Sequence, residues 1–186
     1  WYTDSDPSGI SSTQNDLITY VMHEMIHGLG MRSGIQDGAG TNAYGNKSVL
    51  FDYFVFGTNN ILNWPSYGGV VPTPAVSDLS FLTGNKLTFN GNGSNANFAL
   101  YTPTPFEFGT SINHRSVNSL MYYRIIKGQY WRVLDKYTVG MLSSLGYNVT
   151  NCSNPDYCGN CLSGNPCFTL FSGGVKVGSF LFFYKV

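Results

Sequence analysis

The stretch VMHEMIHGLGMRSG, residues 21–34, sets the frame for reading this chain. His23 and His27 are four positions apart. On an α-helix they lie one turn apart on one face, so both rings can reach one metal ion. Glu24 falls about 100° further round, beside such an ion but off its ligand shell. A catalytic zinc keeps three protein ligands and an open position for water. The metal makes that water acidic, and a nearby carboxylate takes its proton. His-Glu-x-x-His supplies two ligands and the carboxylate together. Gly30 then lets the chain turn sharply away. As a chance pattern this is improbable in a chain with only three histidines.

The stretch does not complete a site. Ser33 occupies the position where a compact version would place a third ligand, and serine is a poor zinc ligand. The remaining histidine is His114, within FGTSINHRSVNSLMYY (108–123). That loop is polar, so His114 is not a core histidine on an apolar face; the bland alternative is a lone surface histidine. Asp37, Asp52 and Glu107 are the oxygen candidates, and a two-histidine-plus-carboxylate site using Glu107 or Asp52 is the competing arrangement.

Working outward, Ser11 and Gln14 have capping-box spacing. Leu17, Tyr20, Val21, Met25 and Ile26 follow as an apolar helical face, which predicts a helix from about Ser12 to Leu29, stopped at Gly28 or Gly30. VLFDYFVF (49–56) and NILNW (60–64) read as short strands. Pro65, Pro72 and Pro74 exclude a long regular element between 65 and 79. KLTFNG (86–91) alternates as a strand does, with NFALYTP (97–103) as a candidate partner. SLMYYRI (119–125) reads as a tight segment. RVLDKYTVGMLSSLGYNV (132–149) has helical apolar spacing with Gly146 as its stop. FTLF and VGSFLFF, near the end, read as strands. This is an α+β pattern.

The chain has 186 residues, enough for a domain with a core. Only 11% of residues are charged and the formal net charge is zero, which suits a secreted, loop-rich protein. Lys and Arg are scattered, so neither a nucleic-acid groove nor an anionic membrane surface is indicated. No segment is long and apolar enough to be read as transmembrane. The chain begins at Trp1 in what reads as mid-domain and ends on the strand-like GSFLFFYKV, which suggests a fragment or processed piece of a larger protein.

All four cysteines, Cys152, Cys158, Cys161 and Cys167, fall in one short stretch. C-x5-C-x2-C-x5-C lacks the two close pairs of a zinc ribbon. Sequons at Asn46, Asn92, Asn148 and Asn151 point with the cysteines to an extracellular or secretory setting, where two disulfides are the better reading. Three pairings are open. The organisation expected is a core over 1–150 and a small Cys-rich extension over 151–186.

HEMIHGLG, a distal His and SLMYY together resemble the metzincin clan of zinc endopeptidases. In that clan a long zinc-binding helix ends at a glycine, a third His follows, and a Met lies in a tight turn below the zinc. The long separation of Gly30 from His114 is similar to the leishmanolysin arrangement, in which an insert precedes the third His. FDYF (51–54), LTFNG (87–91), GTSINH (109–114), the LM turn and LGY (145–147) also resemble, in order, a broad set of secreted bacterial and eukaryotic HExxH proteins; the likeness covers roughly residues 12–149.

The resemblance implies His23, His27 and His114 as ligands of one catalytic Zn2+, Glu24 as general base and Met121 as the Met-turn residue. Tyr123, through the Ser-x-Met-x-Tyr pattern, would be an oxyanion stabiliser; its plain alternative is a packed aromatic. The implied fold is a metzincin-like core: a zinc helix, a β-rich insert, a Met-turn and a C-terminal helix. Only about 11 residues precede the helix, so the upper sheet that in metzincins precedes it is expected to be missing from this chain or replaced by something not recognisable in the sequence. The implied activity is hydrolysis of peptide bonds in a protein or peptide substrate by a zinc-activated water, at the cell surface if sequence outside this chain attaches it there. The competing function is a secreted zinc-binding or adhesion module without peptidase activity.

Overall fold

The computed structural model describes residues 1–36, 43, 49–57, 61, 82–93, 96–152, 167–172 and 175–181. The first helix, α1, spans Leu17–Gly28. It starts later than the Ser11/Gln14 spacing predicts. Those two residues do pair, Ser11 N–H donating to Gln14 Oε1 at 3.0 Å, but they close a turn. The chain is extended over 15–16 because Tyr2 brackets it: Tyr2 N–H donates to Asn15 O, and Leu17 N–H to Tyr2 O. Asp16 is the true N-cap. It is fully buried, and its carboxylate accepts from Thr19 N–H at 2.9 Å and Thr19 Oγ1 at 2.6 Å. Arg132 grips the same carboxylate with two nitrogens. Burial alone would raise this carboxyl, but the Arg132 and Thr19 hydrogen bonds and the Arg132 charge hold it below the usual range.

Residues 49–56 are only partly the strand expected. Leu50–Phe54 form a 3-10 turn, and Val55–Phe56 form β1. The cause is burial at consecutive positions. Phe51 and Asp52 both face inward, which an extended strand forbids. The Asp52 carboxylate accepts Gly34 N–H at 2.9 Å, and only a turn can present it there. β1 pairs antiparallel with β2 (Thr88–Asn90), and β2 with β3 (Asn97–Ala99), so the predicted 86–91/97–103 pair forms. Phe89 lies opposite both Val55 and Phe98 and stacks on the Phe98 ring at 5.1 Å. NILNW, Ile61 apart, and the 65–79 segment lie outside the described residues.

The second helix, α2, spans Lys136–Ser144, shorter than the apolar spacing over 132–149. Asp135 caps it, accepting from Tyr137 N–H, Thr138 N–H and Thr138 Oγ1. Gly146, at φ +92°, lets the chain leave the helix. β4 (Asn148–Cys152), β5 (Cys167–Ser172) and β6 (Val175–Leu181) then form an antiparallel sheet, so the boundary expected at residue 150 falls inside a strand. The register sets Cys152 opposite Cys167; Cys158 and Cys161 lie outside the described residues. The core joins Met22 and Ile26 of α1 to Met141 and Leu142 of α2 through Phe89, Leu120 and Met121.

Gly91 sits where this core is tightest. A Cβ there would collide with Ser144 Oγ and lie 2.7 Å from the Phe89 ring and 2.8 Å from Ala96 Cβ. Ser144 cannot easily move, since it accepts Asn92 N–H and donates to Gly140 O. Gly91→Ala is therefore expected to destabilise the chain by about 1–3 kcal/mol through overpacking. Thermal denaturation tests this, and an unchanged midpoint would contradict the contact.

Candidate metal centre

His23 and His27 project from α1, and His114 comes from the loop between β3 and α2. Each ring is held by a main-chain carbonyl. His23 Nδ1 lies 2.7 Å from Leu120 O, His27 Nδ1 2.7 Å from Met31 O, and His114 Nδ1 2.8 Å from Thr110 O. A carbonyl has no proton to give, so each Nδ1 carries the hydrogen and each Nε2 presents a lone pair. The three Nε2 atoms stand 3.1 Å from one another in all three pairs. With the three rings neutral those contacts are not hydrogen bonds, because each ring's hydrogen is on Nδ1. Three lone pairs that close repel unless a cation lies among them.

The donor set fits a zinc ion. Zn–N bonds of about 2.0–2.1 Å in a tetrahedral site put neighbouring nitrogens about 3.3–3.4 Å apart, close to the spacing seen here. Imidazole suits zinc and the later first-row metals, and the carbonyl partners on Nδ1 are the usual outer shell of such ligands. Of the oxygen candidates, Glu107 accepts Tyr101 OH at 3.2 Å and Asp52 accepts Gly34 N–H; neither joins the group. Asp37 lies outside the described residues.

The local chain explains this convergence. Gly30 has φ +113°, which a side chain resists. That turn carries Met31 back so that its N–H meets Ile26 O and its carbonyl meets the His27 ring. The 119–123 segment ties two of the three histidines together: Leu120 O holds His23, while Met121 O accepts Arg115 N–H, beside His114. The Met121 side chain is fully buried. Ser33 supplies no histidine to the group, yet its N–H donates to Asn113 Oδ1 at 2.7 Å, fixing the loop that carries His114. Ile112, two residues before His114, has φ +70°, a conformation costly for a β-branched residue.

Sequence reasoning missed Arg115. It is 4% exposed, forms an ion pair at 2.9 Å with the α2 cap Asp135, and lies over the Phe98 and Tyr137 rings. Its position next to His114 was the available signal. The Asp16–Arg132 pair was missed because Ser11 offered a more familiar cap.

A cleft of about 240 Å³ opens beside the group, bordered by His23, Glu24, His114, Tyr123, Arg124 and Tyr20. Glu24 is exposed there. Tyr123 stacks face to face on Tyr101, centroids 3.7 Å apart. A larger cleft, about 390 Å³, borders His27 and the Gly28–Gly30 turn but none of Glu24, His114 or Tyr123. The smaller cleft is therefore the one that brings Glu24 and Tyr123 together with His23 and His114.

Burial pushes the His114 imidazole down to about 4, helped by His27 and His23 and opposed by the Thr110 carbonyl. His27 is lowered too, again chiefly by burial. Both pKa values lie below the unfolded value of about 6.5, so the unfolded chain binds protons first. The stability that these two neutral rings contribute is fully present above about pH 6.5 and is expected to be lost as pH drops toward about 4. Denaturant titration of the metal-free protein across that window measures it, and a flat profile would contradict neutral, buried ligands.

Among the described residues no helix is long and apolar enough to cross a membrane. Comparison with protein families, with curated proteins and with solved structures finds no match to this chain.

Proposed function

We propose that this chain is a zinc-dependent endopeptidase with a metzincin-like core, acting on a protein or peptide substrate bound in the smaller cleft. The carrying observation is the convergence of three Nε2 lone pairs, with Glu24 on the same cleft. His23, His27 and His114 hold the metal. When bound, zinc supplies a water made acidic near neutral pH and a Lewis acid for the scissile carbonyl. Glu24 takes a proton from the attacking water and returns it to the leaving amine. Tyr123 donates to the oxygen on which negative charge develops. Met121 floors the site. The clustered cysteines and the sequons support a secreted setting.

The test is hydrolysis of an unfolded protein by the zinc-loaded chain, abolished by a chelator and restored by stoichiometric zinc. Tight 1:1 zinc binding without hydrolysis would reject the peptidase and leave a secreted zinc-binding or adhesion module.

A further inference from the structure

Arg124 borders the same cleft as Glu24, His23 and His114. Arg115 and Arg132, the arginines before and after it in the sequence, are each committed to a carboxylate, Asp135 and Asp16. Arg124 is exposed and, among the described residues, forms no ion pair. It is nevertheless held in place. Its guanidinium lies 4.6 Å from the centre of the Tyr123 ring, and Tyr123 in turn stacks on Tyr101, whose hydroxyl donates to Glu107. A guanidinium laid on an aromatic stack keeps its N–H edges available, and those edges match a carboxylate.

The charge of the cleft points the same way. Among the described residues, Glu24 and Arg124 are the charged side chains on its border and cancel, and histidines that hold a metal do so as neutral rings. A divalent ion then leaves the cleft net positive. At about 240 Å³ it is smaller than the roughly 300–1,000 Å³ typical of drug-sized ligand sites, which suits one or two side chains of an extended peptide.

We propose that Arg124 is a specificity-determining residue that selects peptides with an acidic side chain flanking the scissile bond. This rests on the peptidase reading above. The carboxylate of the substrate accepts from the Arg124 guanidinium while the Tyr123–Tyr101 stack fixes its plane. Loss of a hydrogen bond between charged groups is worth roughly 10- to 100-fold in discrimination.

The test uses the zinc-loaded chain and peptide pairs that differ only as Asp/Asn or Glu/Gln at each position flanking the cleaved bond. The kcat/KM ratio is expected to favour the acidic member by roughly 10-fold or more at one position. Arg124→Gln should bring that ratio near one, Arg124→Lys should keep part of it, and Arg124→Glu should invert it in favour of a Lys-bearing peptide. Equal cleavage of both members by the unsubstituted chain, or a preference that survives Arg124→Gln, would overturn the proposal. If no peptide is cleaved at all, the peptidase reading fails separately. Binding of the same pairs to the zinc-loaded chain then decides: recognition requires that Arg124→Gln abolish tighter binding of the acidic member, and equal affinities refute it.

Discussion

Replacing His114 by alanine is expected to strip the chain of stably bound zinc, and hydrolysis should go with it. The three Nε2 atoms are equidistant, so no one of them is a spare. Removing His114 leaves two ligands from a single helix, which does not make a catalytic zinc site. Losing only an outer-shell partner of a ligand costs about 10–100-fold in metal affinity, and loss of the ligand itself should exceed that. The fold should survive, since among the described residues the ring makes one hydrogen bond outside the trio, to Thr110 O, worth about 0.5–1.5 kcal/mol. Metal content after dialysis, with circular dichroism as the folding control, measures the effect. Unchanged zinc affinity would place the third ligand elsewhere.

Glu24→Gln is expected to do the opposite: keep zinc and lose activity. Glu24 is exposed on the cleft and outside the ligand trio, so the isosteric amide leaves the three nitrogens as they are. The amide cannot accept the proton of the attacking water. General-base contributions of about 10²- to 10⁴-fold set the expected fall in kcat. Stoichiometric zinc with full activity in this variant would sink the assignment of Glu24 as base. Together the two variants separate metal retention from proton transfer.

The helical pair His23/His27 is readable from spacing alone, because helix geometry converts i, i+4 into one face. His114 is reachable by counting, since the chain has no fourth histidine. Ser33 could be dismissed as a ligand from its chemistry, but its contact with Asn113 could not be foreseen. That contact spans two distant segments and uses a backbone donor, which residue type does not encode. The start of α1 was misplaced for a related reason. Ser11 and Gln14 satisfy a local rule, while Asp16 wins through long-range partners, Tyr2 on one side and Arg132 on the other. The 3-10 turn at Leu50–Phe54 likewise follows from the inward pull of Asp52 toward Gly34, invisible to a strand pattern rich in aromatic and β-branched residues.

The carbonyls that orient the three imidazoles have an evolutionary consequence. Leu120, Met31 and Thr110 contribute only main-chain oxygen to the rings. A side-chain carboxylate in that role would be deleted by a single codon change; a peptide carbonyl survives nearly every one. Positions 31, 110 and 120 can therefore change residue type without losing the carbonyl, within the limits that core packing sets at Met31 and Leu120. The centre can then persist in descendants that share four side chains and a chain trace, and little else that residue identity would reveal.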